Sequence, residues 1–155
     1  MAQAIFRGAT RADVPAILEL LDDDDIARTR QTGRAMPESV DAACWAAFEA
    51  IDADPRNELI VADEDGTVVG TCQLTFTPSL SRRGAERMTI EAVRVRGDLR
   101  GRGTGRAMMI WSLARARERG CGLAQLTTDK RRTDAHRFYA SLGFTASHEG
   151  FKLAL

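Results

Sequence analysis

Between Arg100 and Arg106 the chain reads Arg-Gly-Arg-Gly-Thr-Gly-Arg, a stretch whose residue types suit the binding of phosphate. Glycines allow successive backbone N–H groups to converge without obstruction from Cβ atoms. The stretch follows a strand pattern in which Ile90, Ala92, Val93 and Val95 are apolar and Glu91 and Arg94 lie between them. Ala107 then starts an apolar pattern at helical spacing, so the turn opens onto a helix N-terminus with its unpaired N–H donors and positive dipole end. Arg100, Arg102 and Arg106 add charge to this cradle. A dinucleotide loop requires GxGxxG with an acidic residue further on, and a P-loop requires GxxxxGK before Ser or Thr; neither is present as written.

What is present, from Arg100 to Gly105, matches the (Q/R)xxGx(G/A) signature of the Gcn5-related N-acetyltransferases. A second segment, Ala135-His136-Arg137-Phe138-Tyr139-Ala140-Ser141-Leu142-Gly143-Phe144, resembles that family's AxxFYxxLGF. The N-terminal Ile5 to Asp13 is similar to its usual first strand and helix entry, so the resemblance spans almost the whole chain. It implies a GNAT fold of mixed α/β (α+β) class. The central sheet is expected to be mostly antiparallel, with six to seven strands, flanked by about four helices. It also implies acetyl-coenzyme A as cosubstrate, its pyrophosphate on Arg100, Gly101, Arg102, Gly103, Thr104, Gly105 and Arg106.

Composition frames these elements. At 155 residues with 44% hydrophobic content, the chain is expected to form a single domain over residues 1–155. Lys plus Arg equals Asp plus Glu at 22 each, so no overall field favours nucleic acid or an acidic membrane surface, and neither is expected as a partner. No apolar run approaches the length of a bilayer span and nothing at the N-terminus resembles a leader, which predicts a cytoplasmic protein. Cys44, Cys72 and Cys121 lack CxxC pairing, and His136 and His148 lack partners at ligand spacing; reduced thiols and no metal site are expected.

Along the chain, Thr10 and Asp13 frame a capping box before Val14, Ile17, Leu18 and Leu21, a first helix that should end at the four aspartates Asp22 to Asp25. That acidic run reads either as a solvated loop or as a rim that attracts a cationic amine. Pro37 and Ser39 open a second helix with Val40, Cys44, Ala47, Phe48 and Ile51 on one face; Trp45 lies off that stripe, in the core or at an acceptor site. Two strands, Glu58 to Asp63 and Thr67 to Phe76, meet at a Glu64-Asp65-Gly66 turn. Pro78 to Glu86 form a basic loop. The helix after the glycine stretch is expected to pack Ala107, Ile110, Trp111 and Ala114 on the sheet and to stop at Gly120. A strand over Cys121 to Thr128, a helix capped by Asp134, and a closing strand over Phe151 to Leu155 complete the order.

Acetyl transfer to an amine requires a held donor, a base for the amine proton, stabilisation of the oxyanion and an acid for the thiolate. The amides of a pantetheine arm can pair with strand backbone, for which Val93, Arg94 and Val95 are placed. The resemblance implies that their main-chain donors also meet the thioester carbonyl. It implies Glu91 as base, the alternative being an outward-facing strand residue in an ion pair; the second acid common in the family is Ala92 here. It implies Tyr139 as the acid, the alternative being packing with Ala135 and Leu142. Where many relatives carry an Asn that contacts the cofactor, this chain has Arg132, within a Lys130-Arg131-Arg132 cluster that reaches a phosphate of coenzyme A or lies in solvent. The expected activity is therefore direct transfer from acetyl-coenzyme A to a primary amine in a ternary complex. The acceptor is a small molecule or a protein amine, with a cation suggested by the acidic run. A coenzyme A binding or sensing module without turnover is the alternative, and a homodimer is compatible with either.

Overall fold

Why the chain places its glycine stretch where it does follows from a sheet ordered β1-β2-β3-β4-β5. The computed structural model describes residues 3–23 and 40–155. The strands are β1 (Ile5–Gly8), β2 (Asn57–Glu64), β3 (Thr67–Thr77), β4 (Arg87–Val95) and β5 (Leu123–Leu126). The first four pair antiparallel and β5 runs parallel to β4, so the sheet is mixed and mostly antiparallel. The helices are α1 (Val14–Asp22), α2 (Ala42–Ala53), α3 (Thr104–Arg119) and α4 (Thr133–Ser141). A short helical segment at Ser81–Gly84 contains Arg82 and Arg83 at φ of 52° and 62°, a left-handed turn in the basic loop.

Five strands are fewer than the six to seven expected. Among the described residues, nothing after α4 is a strand: Phe151 to Leu155 lie outside the sheet, with Phe151 93% and Leu153 84% exposed. Their period-two apolar pattern has no strand beside it, and a strand exists only through a partner's hydrogen bonds.

Local chemistry explains the other elements. The capping box is formed: Asp13 accepts from the Thr10 backbone N–H at 2.7 Å before α1 begins. Val14, Ile17 and Leu20 are the residues α1 buries, with Leu18 and Leu21 half-buried at the edges of that stripe. The helix ends at Asp22, within the acidic run as expected; Asp24 and Asp25 lie outside the described residues. So do Pro37 and Ser39, and α2 starts instead at the Asp41 cap, whose carboxylate accepts from Cys44 N–H. Only Phe48 of α2 is buried, and Trp45 is half-buried with the Arg11 guanidinium stacked on its ring at 4.1 Å. The β2–β3 hairpin turns through Asp65 and Gly66, both at positive φ, as its Asp-Gly pair predicts.

The face that α3 turns to the sheet differs from expectation. Met108, Met109, Ser112 and Ala116 are buried, whereas Ala107 and Ala114 are exposed and Ile110 is 52% exposed. The buried set follows i, i+1, i+4, i+8 spacing, but a serine interrupts its apolar pattern. Ser112 is tolerated at zero exposure because its hydroxyl donates to Met108 O at 2.8 Å, which satisfies the group inside the core. The core itself joins β2, β3 and β4 to α3 through Ile60, Leu74, Phe76, Met88 and Ile90.

Candidate active site

Two features of β4 create an opening in the sheet. The strand is nine residues long, but β5 pairs with it only from Arg87 to Ile90, opposite Leu123 to Leu126. From Glu91 to Val95 β4 continues without a strand on that side. At the same point its backbone bulges: Gln73 faces Glu91 and Thr71 faces Arg94, so Ala92 and Val93 stand opposite the single residue Cys72. Ala92 takes up the extra length at φ 53°, an unusual conformation for a residue with a Cβ.

The bulge has a chemical result. Residues three apart on a regular strand point to opposite faces. Here Glu91 and Arg94 lie opposite Gln73 and Thr71, which are two apart, and so share one face. Val95 turns to the other side, where its Cγ2 lies 3.4 Å from an ideal Cβ at Gly105. Strand, glycine stretch and α3 N-terminus are thereby stacked closely.

The glycine stretch adopts the conformation its residues permit. Gly101 and Gly103 have φ of 78° and 91°, and an added Cβ at either meets nothing within 4 Å, so the turn is open on its outer side. The first bond within α3 runs from Ala107 N–H to Gly103 O. The N–H groups of Thr104, Gly105 and Arg106 precede that ladder and have no acceptor inside the helix. Thr104 and Gly105 are half-buried; Gly101, Arg102, Gly103 and Arg106 are exposed. Arg100 braces the turn, donating to Val95 O at 3.2 Å and to Asp23 O at 3.3 Å. Asp23 thus borders the glycine stretch, its carboxylate 3.6 Å from an ideal Cβ at Gly97. The open cradle fits a pyrophosphate, and the exposed strand backbone fits an amide-bearing arm. Gly103→Val is expected to weaken acetyl-coenzyme A binding about tenfold or more, because a β-branched side chain is strained at this φ and would shift the turn that presents the N–H groups. Titration calorimetry reads it, and an unchanged affinity would remove the cradle from binding.

Tyr139 packs against the core cluster. It lies on α4, half-buried, with its ring 5.2 Å from Phe138 and 6.0 Å from Phe144 between centroids. Burial pushes its phenol above the ordinary value, an effect that the charges of Arg94 and Arg132 oppose. The phenol therefore holds its proton at neutral pH. Phe138, beside it, lies against the glycine stretch, its Cζ 3.9 Å from an ideal Cβ at Gly105. α4 begins with Arg132 in the cap position; Asp134, expected there, lies in the first turn and pairs with Arg137.

Cys72 lies directly under the bulge with no exposure, and burial pushes its thiol up to about 11. A thiol held in that state is a poor nucleophile. A cavity of ≈ 390 Å³ lies elsewhere, between α2, the start of β2 and the later turns of α3, lined by Phe48, Trp111 and the Glu58–Arg115 ion pair. Its residues belong to neither the glycine stretch nor the β4 opening. Among the described residues no group of three His, Cys, Asp or Glu side chains is arranged to hold a metal ion, and no helix is long and apolar enough to cross a membrane.

Sequence reasoning did not reveal the shared face of Glu91 and Arg94. Its one signal was Ala92, a small residue in a strand of otherwise larger side chains.

Comparison with known proteins agrees with this geometry. The family model described as the acetyltransferase (GNAT) family matches residues 16–144. The aminoalkylphosphonate N-acetyltransferase of Salmonella typhimurium is 34% identical over 108 residues, 70% of this chain and 70% of that protein. A transcriptional regulator from Bacillus halodurans has the same fold at TM-score 0.93 and 44% identity, covering 98% of this chain and 99% of that one. An acetyltransferase of Trypanosoma brucei follows at TM-score 0.78 and 25% identity, covering 98% and 99%. With its glycine stretch, split β4–β5 pair and matched family model, the chain belongs to the acetyltransferase (GNAT) family.

Proposed function

We propose that this protein is an N-acetyltransferase that moves an acetyl group from acetyl-coenzyme A to the primary amine of a small molecule bearing an anionic group. The observation that carries this reading is the bulge in β4, which sets a carboxylate, Glu91, and a guanidinium, Arg94, on one face beside the opening. Acetyl-coenzyme A supplies the activated thioester, and Arg100 to Arg106 with the backbone of Val93 to Val95 would hold it. Glu91, exposed on β4, accepts the amine proton directly or through water. An alkyl amine with a pKa of about 10.4 needs that step before it can attack. Tyr139 keeps a proton for the departing thiolate. The backbone N–H groups of β4 polarise the carbonyl without requiring a side chain.

Charge at the opening favours an anionic acceptor over the cation that the acidic run suggests. The charges of Arg94 and Arg132 both bear on Tyr139, whereas the Asp23 carboxylate lies beside Gly97, ahead of the glycine stretch. The Salmonella relative is named for an aminoalkylphosphonate, an amine and an anion in one molecule. A guanidinium is suited to a phosphonate group.

The experiment is titration with acetyl-coenzyme A, followed by a free-thiol release assay comparing an aminoalkylphosphonate with an uncharged amino alcohol and a diamine of equal length. Thiol release is expected with the aminoalkylphosphonate at a kcat/KM at least tenfold above the others. A preference for the diamine would restore the cationic acceptor. The Bacillus protein described as a transcriptional regulator favours one second reading, a coenzyme A sensing module. Tight binding without thiol release from any amine would support it.

A further inference from the structure

The cavity beside the later turns of α3 exists because β1 stops short. β1 ends at Gly8, opposite Ile60, so Asn57 to Leu59 continue β2 without a strand on that side. α2 and α3 flank the gap, and ≈ 390 Å³ stays open there, within the range of about 300–1,000 Å³ that holds small-molecule ligands. Gly8, which lines this space, helps to keep it open. Along β1, Phe6 and Gly8 share a face, and Phe6 packs on the Trp111 ring at 6.1 Å between centroids. An ideal Cβ at Gly8 meets nothing within 4 Å, and the residue is not in the left-handed region, so neither backbone nor neighbours require a glycine. A strand glycine that packing does not demand is a common mark of close approach by a ligand.

We infer that this cavity is a second binding site, separate from the acetyl-transfer opening, for an organic ammonium ion that carries an apolar body. Phe48 of α2 and Trp111 of α3 supply aromatic surface, which attracts a cation as well as an apolar group. The charges around them select the sign. Arg115 is the cation of the lining, and its fork is already engaged: Nε and Nη2 donate to Glu58 at 3.2 and 2.5 Å, and Nη1 donates to Glu118 at 3.2 Å. An anionic ligand would have to break that pairing before it met a donor. Asp52, by contrast, lines the cavity with no hydrogen bond or ion pair to any described residue. Glu58 accepts two bonds from Arg115, whereas a carboxylate has about four acceptor positions, so it can take a further donor. Two carboxylates therefore face one guanidinium, and the lining is net negative beside aromatic walls. An ammonium head satisfies the carboxylates, and its apolar body fills the space beside Ile51 and Trp111.

Trp45 and Trp111 are the two tryptophans, and Trp45 is not in the lining, so in a Trp45→Phe background the fluorescence reports Trp111. The probe is N,N-dimethylphenethylamine, a tertiary amine that cannot form an amide and so cannot serve as an acetyl acceptor. It should change Trp111 emission saturably, with and without saturating acetyl-coenzyme A. Phenethyl alcohol and hydrocinnamate, a neutral and an anionic body of similar size, should bind at least about tenfold more weakly. Gly8→Leu puts a side chain into the cavity and should abolish the response without lowering the melting temperature, since it replaces a strand glycine that has free space before it. Asp52→Asn, an exposed change, should weaken the amine about fivefold. No response, equal affinity for the three probes, binding that survives Gly8→Leu, or an Asp52→Asn affinity equal to the parent's would overturn the inference. Displacement of the amine by acetyl-coenzyme A would overturn it too, by moving the amine to the opening. None of these results depends on which acceptor the opening acetylates.

Discussion

Tyr139→Phe is expected to lower kcat for acetyl transfer about 100-fold or more, with acetyl-coenzyme A affinity unchanged within about twofold. The substitution removes one hydroxyl and keeps the ring, so the contacts to Phe138 and Phe144 survive and α4 stays in place. What is lost is a donor whose proton is retained by burial. A departing thiolate would then take its proton from solvent, and a 100-fold loss corresponds to about 2.7 kcal/mol of barrier. Pre-steady-state release of free thiol measures the step, and calorimetry measures binding. A loss of kcat with constant affinity places the group in the chemical step. If kcat is unchanged, Tyr139 is an ordinary packing residue; if affinity falls with kcat, its role is to shape the cofactor slot.

Which features were legible in the sequence comes down to the range of the interactions. Gly101, Gly103, the Asp65-Gly66 turn and the Thr10–Asp13 capping box are governed by the backbone preferences of the residues themselves, so type and spacing suffice to read them. The buried face of α3 is different. Ile110 is the more apolar residue, yet Ser112 is inside, because a hydroxyl that donates to its own helix loses little by burial. Periodicity weighs side chains one at a time and misses that compensation. The bulge at Ala92 is also nonlocal: it exists only in the register between β3 and β4, which neither strand displays alone. Residues 151–155 were read as a strand from a sound alternating pattern, but pairing is a property of two segments. In this chain the second segment is not beside it.

Arg7 was legible only as a polar residue in a short strand, and its replacement carries the largest expected effect on stability. Its guanidinium forks onto both oxygens of Asp13, at 2.7 and 3.0 Å, and its Nε donates to Asp63 at 2.9 Å. Asp13 opens α1 and Asp63 accepts from Gly66 N–H in the β2–β3 turn, so one cation ties β1, the helix entry and the hairpin together. The two carboxylate side chains are only 9% and 12% exposed. Arg7→Met leaves both without their cation, a defect that costs about 3 kcal/mol when a largely buried pair is broken. For a domain of this size the melting temperature should fall by roughly 6–12 °C. The pH dependence identifies the cause. The Arg7 hydrogen bonds, opposed by burial, hold the Asp13 carboxyl at about 2 against an ordinary 3.8. A folded-state pKa depressed in this way stabilises the protein above about pH 4, and that contribution disappears as the pH falls toward about 2. Wild-type protein should therefore lose stability steeply across this window, and Arg7→Met, already without the pairing, should lose much less. Parallel curves of melting temperature against pH for the two proteins would show that Asp13 does not depend on Arg7, and the network would reduce to a surface feature. A converging pair of curves would instead make Arg7 the residue that fixes how α1 enters the fold, and with it the helix that packs against β3 and β4 beside the opening.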